Sequence, residues 1–345
     1  MENSTLYIPS LSTVTTLAEE ELDGIYHLFR IINITIYSII FILGTVGNGL
    51  VIWIIGFKME KTATLIWFLN LGIADFSFCL FLPLYITEWA MWYHWPFGWI
   101  MCKTWGFNLH LNLSASVLFL MIISVDRCIC VLYPIWAKIH RTSRSASIIS
   151  VIIWVLSVAL SFPYIVFYDT TDNGKESIHC ILMFSIWNNS TTFDYETWEV
   201  RYKPIIMTRF VSMFLIPFSI IMVCYGLIAL QVRKNSRISR SGRTLKIIFT
   251  IVICFFSCWF LYHILPMIEN ADIEIGYPAN VILNSLGYYL AFFNSCLNPI
   301  IYVFIGQDFK KSLNKSISFL LKNTFREETN PAESPSNDLE PETMT

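Results

Sequence analysis

The sequence predicts an all-α membrane protein built as a bundle of seven transmembrane helices. Three observations support this fold class: 55% of the 345 residues are hydrophobic, only 14% are charged, and the apolar residues are gathered into seven long blocks. Each block is long enough to cross the hydrocarbon core of a bilayer, roughly 30 Å thick, as a helix. Strands of a membrane barrel would be about half as long and would alternate polar with apolar residues, which the first block does not do.

The seven blocks give the predicted order of elements along the chain. Because only helices and closed barrels satisfy the backbone within hydrocarbon, each block is predicted to be a helix. The blocks run approximately over residues 29–56, 64–91, 101–132, 146–168, 204–232, 244–268 and 280–304. The predicted parts of the chain are an extracellular N-terminal segment at 1–28, the bundle at 29–304, an amphipathic juxtamembrane helix at 305–322 and a disordered cytoplasmic tail at 323–345.

Basic residues predict the orientation of the bundle. Lysines and arginines cluster after the first, third, fifth and seventh blocks, with six of them from Arg233 to Lys246. The positive-inside rule therefore predicts an extracellular N-terminus and a cytoplasmic tail, and we expect a multi-pass protein of the plasma membrane. Residues 1–28 lack the apolar core of a signal peptide, so we expect the first helix itself to direct insertion. Glycosylation sequons on the predicted outer side begin at Asn3, Asn188 and Asn189.

Two of the nine cysteines are predicted to lie outside the membrane. Cys102 is at the outer end of the third block, and Cys180 is in the long loop before the fifth. An oxidising exterior favours a disulfide that ties this loop to the third helix, and the alternative is two free thiols. We interpret the other seven cysteines as small apolar packing residues.

Polar side chains within the predicted spans are candidates for function, because they are costly in a bilayer. Asp75 is the clearest of them, since no lysine or arginine lies near it in the sequence and an ionised carboxylate at that depth needs a partner. Oxygen-bearing groups that converge on one carboxylate are suited to a small hard cation such as sodium. The alternative is an interhelical hydrogen-bond network without an ion. The candidate partners of Asp75 are Asn48, Asn112, Ser116, Asn294 and Asn298.

Two helix ends carry signatures of a known family. The third block ends in "DRC" at 126–128 and the seventh in "NPIIY" at 298–302, which resemble the Asp-Arg-Tyr and Asn-Pro-x-x-Tyr motifs of rhodopsin-like G-protein-coupled receptors. The stretches "GFKMEKT", "HWPFGW" and "AFFNSCLNPIIYVFIGQDF" are similar to the chemoattractant branch, with formyl-peptide receptors nearest, then chemerin-receptor-like and acidic-prostaglandin receptors. The resemblance covers all seven spans. Further matching positions are Asn48, Asp75, Trp154, Pro217, Tyr225, Cys258 and Trp259.

The resemblance implies a cell-surface receptor for a chemoattractant-type ligand, either a peptide or an acidic lipid, with roles in chemotaxis and inflammatory responses. Such a receptor activates a heterotrimeric G protein, here of the inhibitory class by analogy, and engages arrestin. Asp126 is expected to pair with Arg127 at rest, and outward movement of the sixth helix would release Arg127 toward Tyr225 and the G protein. The alternative is a permanent interfacial ion pair. The activation residues implied by the family are Asp126, Arg127, Tyr225, Trp259, Pro299 and Tyr302.

Departures from the family pattern concern the ligand. Formyl-peptide receptors carry an acid in the outer third span and two arginines in the fifth, whereas this chain has His110, Ile205 and Arg209 there. A formylated methionine is therefore less expected as agonist, while the planar guanidinium of Arg209 remains suited to a ligand carboxylate. Arg209 could instead snorkel or pair with a loop acid, and His110 could simply bond a neighbouring helix. The predicted ligand-binding residues are Arg209, His110, Tyr262, His263, Trp92, Phe107 and Phe292, with Trp95 as a further aromatic candidate.

The sixth span departs from the Cys-Trp-x-Pro motif that is usual in the family. It reads Cys258-Trp259-Phe260-Leu261, with leucine where the family has proline, and Pro266 follows later. A proline would kink the helix, so this helix is expected to be straighter. Because of this feature, the alternative function remains that of a scavenging or arrestin-biased receptor with weak G-protein coupling.

The segment after the seventh span predicts an interfacial helix. Phe309, Leu313, Ile317 and Leu321 recur on one face, with lysines elsewhere, which is typical of a helix on anionic membrane lipids. The tail beyond it is acidic and rich in proline, serine and threonine, so we expect disorder. It is either an ordinary solvated linker or a phosphorylated arrestin-binding segment, for which the candidate sites are Thr329, Ser334, Ser336 and Thr343.

Other function classes find little support. A transporter would show internal repeats or symmetry between the two halves, and an enzyme would show a catalytic or metal-binding motif such as HExxH or GxSxG. The sequence has neither kind of pattern. We expect no enzymatic activity, no nucleic-acid partner and no cofactor beyond a possible structural sodium ion at Asp75.

Overall fold

The computed structural model describes residues 11–172, 177–183, 203–234, 242–270 and 276–305. Long helices dominate these residues, so the all-α fold class is confirmed. Five helices in the described part of the chain are long and apolar enough to cross a membrane, and the sixth predicted span contains a shorter apolar stretch, Val252–Ile268. The elements are α1 (Leu11–Phe57), α2 (Ala63–Ala90), α3 (Gly98–Leu132), α4 (Pro134–His140), α5 (Ser143–Phe167), β1 (Tyr168–Asp172), β2 (Ile178–Leu182), α6 (Lys203–Phe210), a π-helical turn (Val211–Leu215), α7 (Ile216–Lys234), α8 (Gly242–Asn270) and α9 (Tyr277–Ile305).

The first helix begins well before the apolar block from which it was predicted. The block starts near residue 29, whereas α1 starts at Leu11 and only Tyr26–Phe57 is apolar enough to span a membrane. The intervening segment is rich in Leu and Glu and contains no proline, so a helix can continue through it. The predicted boundary at residue 28 therefore lies inside α1.

Helix α3 occupies the centre of the bundle. It contacts α2, α5, α7, α8 and β1, while α1 packs on α2 and α9, and α8 packs on α9. Most of its side chains from Cys102 to Ser124 are buried, as expected for a helix surrounded by others. Residues on α3 can therefore contact both ends of the bundle and several neighbouring helices.

The distribution of polarity on α5 fits a lipid environment. Its outward face exposes Val151 and Val155, whereas Ser157 and Ser161 are buried. Inside, Ser114 of α3 donates a hydrogen bond to the Ser157 carbonyl at 3.2 Å, and its hydroxyl lies 2.9 Å from that of Ser161. An apolar outer face over a hydrogen-bonded inner face is the arrangement expected for helices packed within a bilayer.

The helix that carries Arg209 contains a π-helical turn. The turn spans Val211–Leu215 and is followed by Pro217, which has no N–H to donate to the carbonyl of Met213. One extra residue in a turn rotates the preceding segment by about 100° relative to a regular helix. The π turn therefore decides which way α6 presents Arg209.

Helix α8 runs through Leu261 without interruption, and Pro266 lies inside it nearer its C-terminal end. The family proline that is missing at this position would have removed a backbone hydrogen bond there. Helices α2 and α9 also continue through Pro83 and Pro299, so the expectation of a straighter α8 stays a prediction.

A disulfide and a short hairpin close one end of the bundle. Cys102 at the start of α3 is bonded to Cys180 of β2, with the two Cα atoms 5.5 Å apart, so the predicted disulfide is present. Strands β1 and β2 pair antiparallel, with Thr170 opposite Cys180. The hairpin is also tied to the loop after α2, because the backbone N–H of Trp95 donates to the Ile178 carbonyl at 2.7 Å. We call this the disulfide end, and the opposite end, which holds Asp126 and Arg127, the Arg127 end.

Candidate functional site

A cavity of about 380 Å³ lies among the helices at the disulfide end. Its walls come from α2, α3, α5, α6, α8 and α9, and the hairpin contributes Tyr168 and Cys180. The volume falls within the range of about 300–1,000 Å³ that is usual for small-molecule sites. The cavity is therefore large enough to receive a ligand or the end of a peptide.

Three predicted ligand-binding residues form one hydrogen-bonded chain in this cavity. Arg209 Nη1 donates to the Tyr262 hydroxyl at 3.2 Å, and that hydroxyl lies 3.4 Å from His110 Nε2. His110 Nδ1 lies 2.8 Å from the carbonyl oxygen of Gly106, which can only accept. Nδ1 therefore carries a proton, and in a neutral ring Nε2 accepts from Tyr262.

Arg209 faces the cavity rather than the surrounding lipid. Its side chain is only 7% exposed, it lines the cavity, and its guanidinium carbon lies 4.6 Å from the centroid of the Tyr262 ring. This contact combines a cation–π interaction with the hydrogen bond to the same residue, which fixes the guanidinium in place. A fixed, planar guanidinium in a cavity is suited to a carboxylate or another flat anion.

His110 is packed as well as hydrogen-bonded. Its ring stacks on Tyr164 with centroids 3.3 Å apart and an interplanar angle of 11°. The side chain is buried, yet it contributes to the cavity lining. Both interpretations of His110, as a bonded structural histidine and as a cavity residue, therefore find support in its position.

The remaining predicted ligand residues divide into two groups. Phe292 lines the cavity together with Tyr262. Two others do not line it. His263 is buried among the aromatic rings of α6, the π turn and α8, and Phe107 is half-buried on α3. Trp92 lies on the surface, 46% exposed, where the guanidinium of Arg30 stacks on its ring at 4.3 Å.

Glu88 is a cavity residue that sequence reasoning missed. It lies in the last turn of α2, is 7% exposed and lines the same cavity as Arg209. Its position within an apolar block was the available signal, because an acid inside a predicted span is a functional candidate. Tyr85, Trp105 and Tyr288 also line the cavity without having been predicted.

Asp75 is the centre of a buried polar network in the middle of the bundle. Asn112 Nδ2 donates to Asp75 Oδ1 at 3.0 Å, Ser116 Oγ donates to the same oxygen at 3.4 Å, and Asn298 Nδ2 donates to Oδ2 at 2.7 Å. All four side chains are buried. The network therefore ties α2, α3 and α9 together through one carboxylate.

The other two candidate partners of Asp75 have different positions. Asn48 Nδ2 donates to the carbonyls of Gly44 at 3.0 Å and Ser295 at 2.7 Å, and so joins α1 to α9 without bonding Asp75. Asn294 is buried, and its Nδ2 makes no hydrogen bond within the described residues.

The chemistry around Asp75 is compatible with sodium. The side-chain oxygens of Asn48, Asn112 and Ser295 are buried and have no hydrogen-bond partner in the part of the chain that the structure describes. Buried oxygen donors beside a carboxylate are the ligands that a hard cation prefers. No cluster of three or more His, Cys, Asp or Glu side chains suited to a metal ion occurs among the described residues.

At the Arg127 end, one carboxylate holds two arginines. Arg127 Nη2 lies 3.1 Å from Asp126 Oδ2, while Arg141 makes a two-point contact with the same carboxylate, Nε to Oδ1 at 2.7 Å and Nη2 to Oδ2 at 3.0 Å. Both guanidinium groups also donate to the hydroxyl of Thr64. Burial opposes the charge of Arg141, but Asp126 outweighs this and raises its pKa. Sequence reasoning used Arg141 only as a marker of orientation and missed this contact.

The remaining activation residues are distributed between the two ends. The Trp259 ring is fully buried and lies 5.2 Å from the Tyr262 ring, edge to face, so it links the cavity to the core of α8. Tyr225 packs on Phe249 at 5.3 Å and is not bonded to Arg127. Pro299 packs closely against α1, because a Cβ added at Gly47 would lie 2.9 Å from it.

Several predicted features lie outside the described residues. These are the side chain of Tyr302, the sequons at Asn3, Asn188 and Asn189, the predicted helix beyond residue 305 and the predicted tail. They stay predictions.

Comparisons with known proteins agree with this architecture. Residues 47–302 match the model of the family described as "7 transmembrane receptor (rhodopsin family)". The Mus musculus "Formyl peptide receptor-related sequence 1" is 38% identical over 304 residues, which cover 87% of this chain and 86% of that protein. The Homo sapiens "Chemerin-like receptor 1" is 42% identical over 323 residues, covering 89% and 83%, and the Homo sapiens "N-formyl peptide receptor 2" is 38% identical over 318 residues, covering 89% and 88%.

The family match covers most of the chain, and the relatives are similar over nearly all of it. They belong to the chemoattractant branch that stretches such as "GFKMEKT" and "HWPFGW" indicated, and the family is one of receptors rather than enzymes. The chain therefore belongs to the rhodopsin family of seven-transmembrane receptors.

Proposed function

We propose that this chain is a plasma-membrane receptor whose cavity binds a chemoattractant-type ligand through an acidic group and which activates an inhibitory heterotrimeric G protein. Family membership implies an extracellular ligand and a G-protein partner. The observation that carries the finer proposal is Arg209, a buried arginine held by Tyr262 in a ligand-sized cavity. Its preferred partner is the carboxylate of a peptide or of a lipid acid.

The names of the relatives limit the choice of ligand. Two are named for formyl peptides and one for chemerin. This chain has His110 and Ile205 where formyl-peptide receptors generally carry an acid and a second arginine. Arg209 is the one arginine among the described residues that line the cavity, and such a lining supports an acidic peptide or lipid as ligand more than a formylated methionine.

The proposed orientation places the disulfide end outside the cell. The positive-inside rule favours it, because Lys138, Arg141 and Arg144 lie at the opposite end of the bundle, as do Arg233 and Lys234 in the last turn of α7. The Arg127 end then meets the G protein. Arrestin would bind the same end and the phosphorylated tail.

The proposed switch is the cluster of Asp126, Arg127, Arg141 and Thr64. In the arrangement seen here the two arginines share one carboxylate, so Arg127 is held against Asp126. Separation of this cluster would release Arg127 toward Tyr225 and a G-protein partner. Trp259 supports a mechanical link, because it touches Tyr262 of the cavity while lying in the core of α8.

We further propose that Asp75, Asn112 and Ser295 hold a sodium ion, which would stabilise the arrangement seen here. Bound sodium would supply a charge that offsets the buried carboxylate. The test is the thermal unfolding midpoint of the purified protein in sodium chloride against choline chloride of equal ionic strength. A higher midpoint in sodium that Asp75→Asn removes supports the site, and equal midpoints would contradict it.

A scavenging or arrestin-biased receptor is the second candidate function. The feature that favours it is Leu261, which stands where the family has a proline. A straighter α8 would open less readily toward a G protein. Arrestin recruitment without any effect on cyclic AMP would support this candidate over the first.

The experiment measures inhibition of forskolin-raised cyclic AMP and arrestin recruitment in the same cells. The ligands are acidic peptides with a free carboxyl terminus and fatty acids, each paired with its amide or methyl ester. The variants are Arg209→Gln and Arg127→Gln, with Arg144→Gln as the control because Arg144 is exposed and far from the cavity.

We expect the acids to act on the parent and on Arg144→Gln and the esters and amides to be weaker. Arg209→Gln should lower potency by about 10-fold to 100-fold, the range for one charge-assisted contact. Equal potency of acid and ester, or an unchanged Arg209→Gln response at equal surface expression, would contradict the anion site.

A further inference from the structure

The cavity contains a second charged group of opposite sign to Arg209. Glu88 lies in the last turn of α2, only 7% exposed, and lines the same cavity. The backbone amide of Cys180 in β2 interacts with its carboxylate. One amide is weak compensation for a buried carboxylate, because a buried charge normally needs both a counter-charge and several hydrogen bonds.

Two basic side chains at the disulfide end have other partners. Arg30 Nη1 donates to the carbonyl of Ala90 at 2.9 Å, and its guanidinium stacks on Trp92. Lys103 pairs with Asp169 at 3.1 Å. No ion pair to Glu88 occurs among the residues that the structure describes. The described residues therefore provide no counter-charge for this carboxylate.

Aromatic rings surround the same part of the cavity. Tyr85 and Trp105 stack with centroids 5.2 Å apart, and Trp89 lies 4.3 Å from Tyr93 and 6.4 Å from Tyr85. All four rings line the cavity. The faces of aromatic rings attract cations, and a carboxylate among them adds a full negative charge. This combination is suited to an organic ammonium or guanidinium group.

We propose that Glu88 and the rings of Tyr85, Trp89, Tyr93 and Trp105 form a cation-recognition site, so that the preferred ligand is bipolar. Its acidic group meets Arg209, and a protonated amine or guanidinium on the same molecule meets Glu88. This inference rests on the proposed function, because it assumes that the cavity binds ligand, and it names the ligand class more narrowly. A peptide with a lysine or arginine near its free carboxyl terminus fits this description. A simple fatty acid has an acidic group for Arg209 but no cation for Glu88.

The test uses peptides that differ by one charge. The bipolar series is acetyl-Lys-(Gly)n-Phe with a free carboxyl terminus and one to four glycines, so that several charge separations are sampled. The acid-only series replaces lysine by Nε-acetyl-lysine, and the cation-only series ends in an amide. The thermal unfolding midpoint of the purified full-length protein is titrated with each peptide, since a ligand that binds the folded state raises it.

The receptor side of the test uses Glu88→Gln, which keeps the size of the side chain and removes its charge. Glu60→Gln is the matched control, because Glu60 is an exposed glutamate away from the cavity. Arg209→Gln reports on the anion site. The comparison of peptides on the unmodified protein stands even if Glu88→Gln does not fold.

We expect the best bipolar peptide to bind the parent and Glu60→Gln at least about tenfold more tightly than its acid-only partner, a ratio that Glu88→Gln reduces to about one. Equal binding of the bipolar and acid-only peptides to the parent would overturn the cation site and leave the anion site intact. Acid-only peptides that bind parent and Arg209→Gln equally would instead contradict the proposed function. No shift with any peptide at millimolar concentration would contradict both.

Discussion

The two ends of the bundle handle charge in opposite ways. At the Arg127 end, Asp126, Arg127 and Arg141 satisfy one another and share the hydroxyl of Thr64. At the disulfide end, Arg209 and Glu88 line the same cavity without an ion pair to each other among the described contacts. Charges that are paired with one another stabilise one arrangement, whereas charges that line a cavity lie where a ligand can contact them. We infer that the Arg127 end stabilises one arrangement of the bundle and that the disulfide end receives the ligand.

The polar network of Asp75 lies between these two regions. It resembles the Arg127 end, because Asn112, Ser116 and Asn298 all donate to one carboxylate. It also resembles the disulfide end, because side-chain oxygens of Asn48 and Asn112 have no partner within the described residues. This mixture is what makes it a candidate ion site rather than a closed network.

The largest effect is expected from breaking the disulfide. Cys102→Ala with Cys180→Ala frees a loop of 78 residues, which costs about 4.5 kcal/mol in the free energy of unfolding by loop-closure entropy. The measurement is surface expression together with the thermal unfolding midpoint. Retention of both at parental levels would show that the hairpin is held over the cavity by its other contacts. Cys79→Ala, a buried free cysteine, is the control for simple loss of a thiol.

A second large effect is expected from the opposite end. Asp126→Asn leaves two arginines without their shared carboxylate and should lower the free energy of unfolding by about 3 kcal/mol while raising ligand-independent nucleotide exchange. Asp169→Asn is the control, because its pair with Lys103 is more exposed and should contribute less than about 1 kcal/mol. Unchanged basal exchange in Asp126→Asn would contradict the role of this cluster as a switch.

A smaller effect is expected where the hairpin packs on α3. A Cβ added at Gly106 would overlap the ring of Tyr168, so Gly106→Ala must displace β1 at a cost of about 2 kcal/mol. Gly56→Ala is the control, because nothing lies within 4 Å of a Cβ at that position. The thermal unfolding midpoint should fall for the first variant only. Equal midpoints would show that the hairpin is loosely seated.

The smallest effect is expected from a single hydroxyl. Tyr262→Phe removes the group that joins Arg209 to His110, so the guanidinium loses one fixing hydrogen bond worth about 1 kcal/mol. Acidic ligands should bind about five-fold more weakly, while their methyl esters should be unaffected. A radioligand or thermal-shift titration with each acid and its ester measures the difference. Equal losses for acid and ester would indicate a packing defect instead.

Sequence reasoning worked best where one polar residue stood in an apolar block. Asp75 and its partners Asn112 and Asn298 were identifiable because a bilayer makes isolated polar groups costly, so they must find one another. The Cys102–Cys180 disulfide followed from predicted topology in the same way. The seven helices followed from block length alone, since hydrocarbon leaves the backbone few choices.

The features that sequence reasoning missed depend on packing between distant segments. Glu88 and Arg141 gain their meaning only from what the bundle places beside them, the cavity in one case and Asp126 in the other. The start of α1 at Leu11 was missed because hydropathy reports the span and not the helix that continues beyond it. Trp92 was expected in the cavity but lies on the surface, because aromatic residues near an interface serve either role.

The central claim is that Arg209 receives an acidic ligand and Arg127 transmits its effect, and the most direct test separates binding from nucleotide exchange. Both are measured on purified receptor with a purified inhibitory G protein, for the parent, Arg209→Gln and Arg127→Gln, with the acidic ligand that is most potent in cells. The account predicts that Arg209→Gln loses binding by about 10-fold to 100-fold, whereas Arg127→Gln keeps binding and loses exchange. Parental binding by Arg209→Gln, or parental exchange by Arg127→Gln, would contradict it.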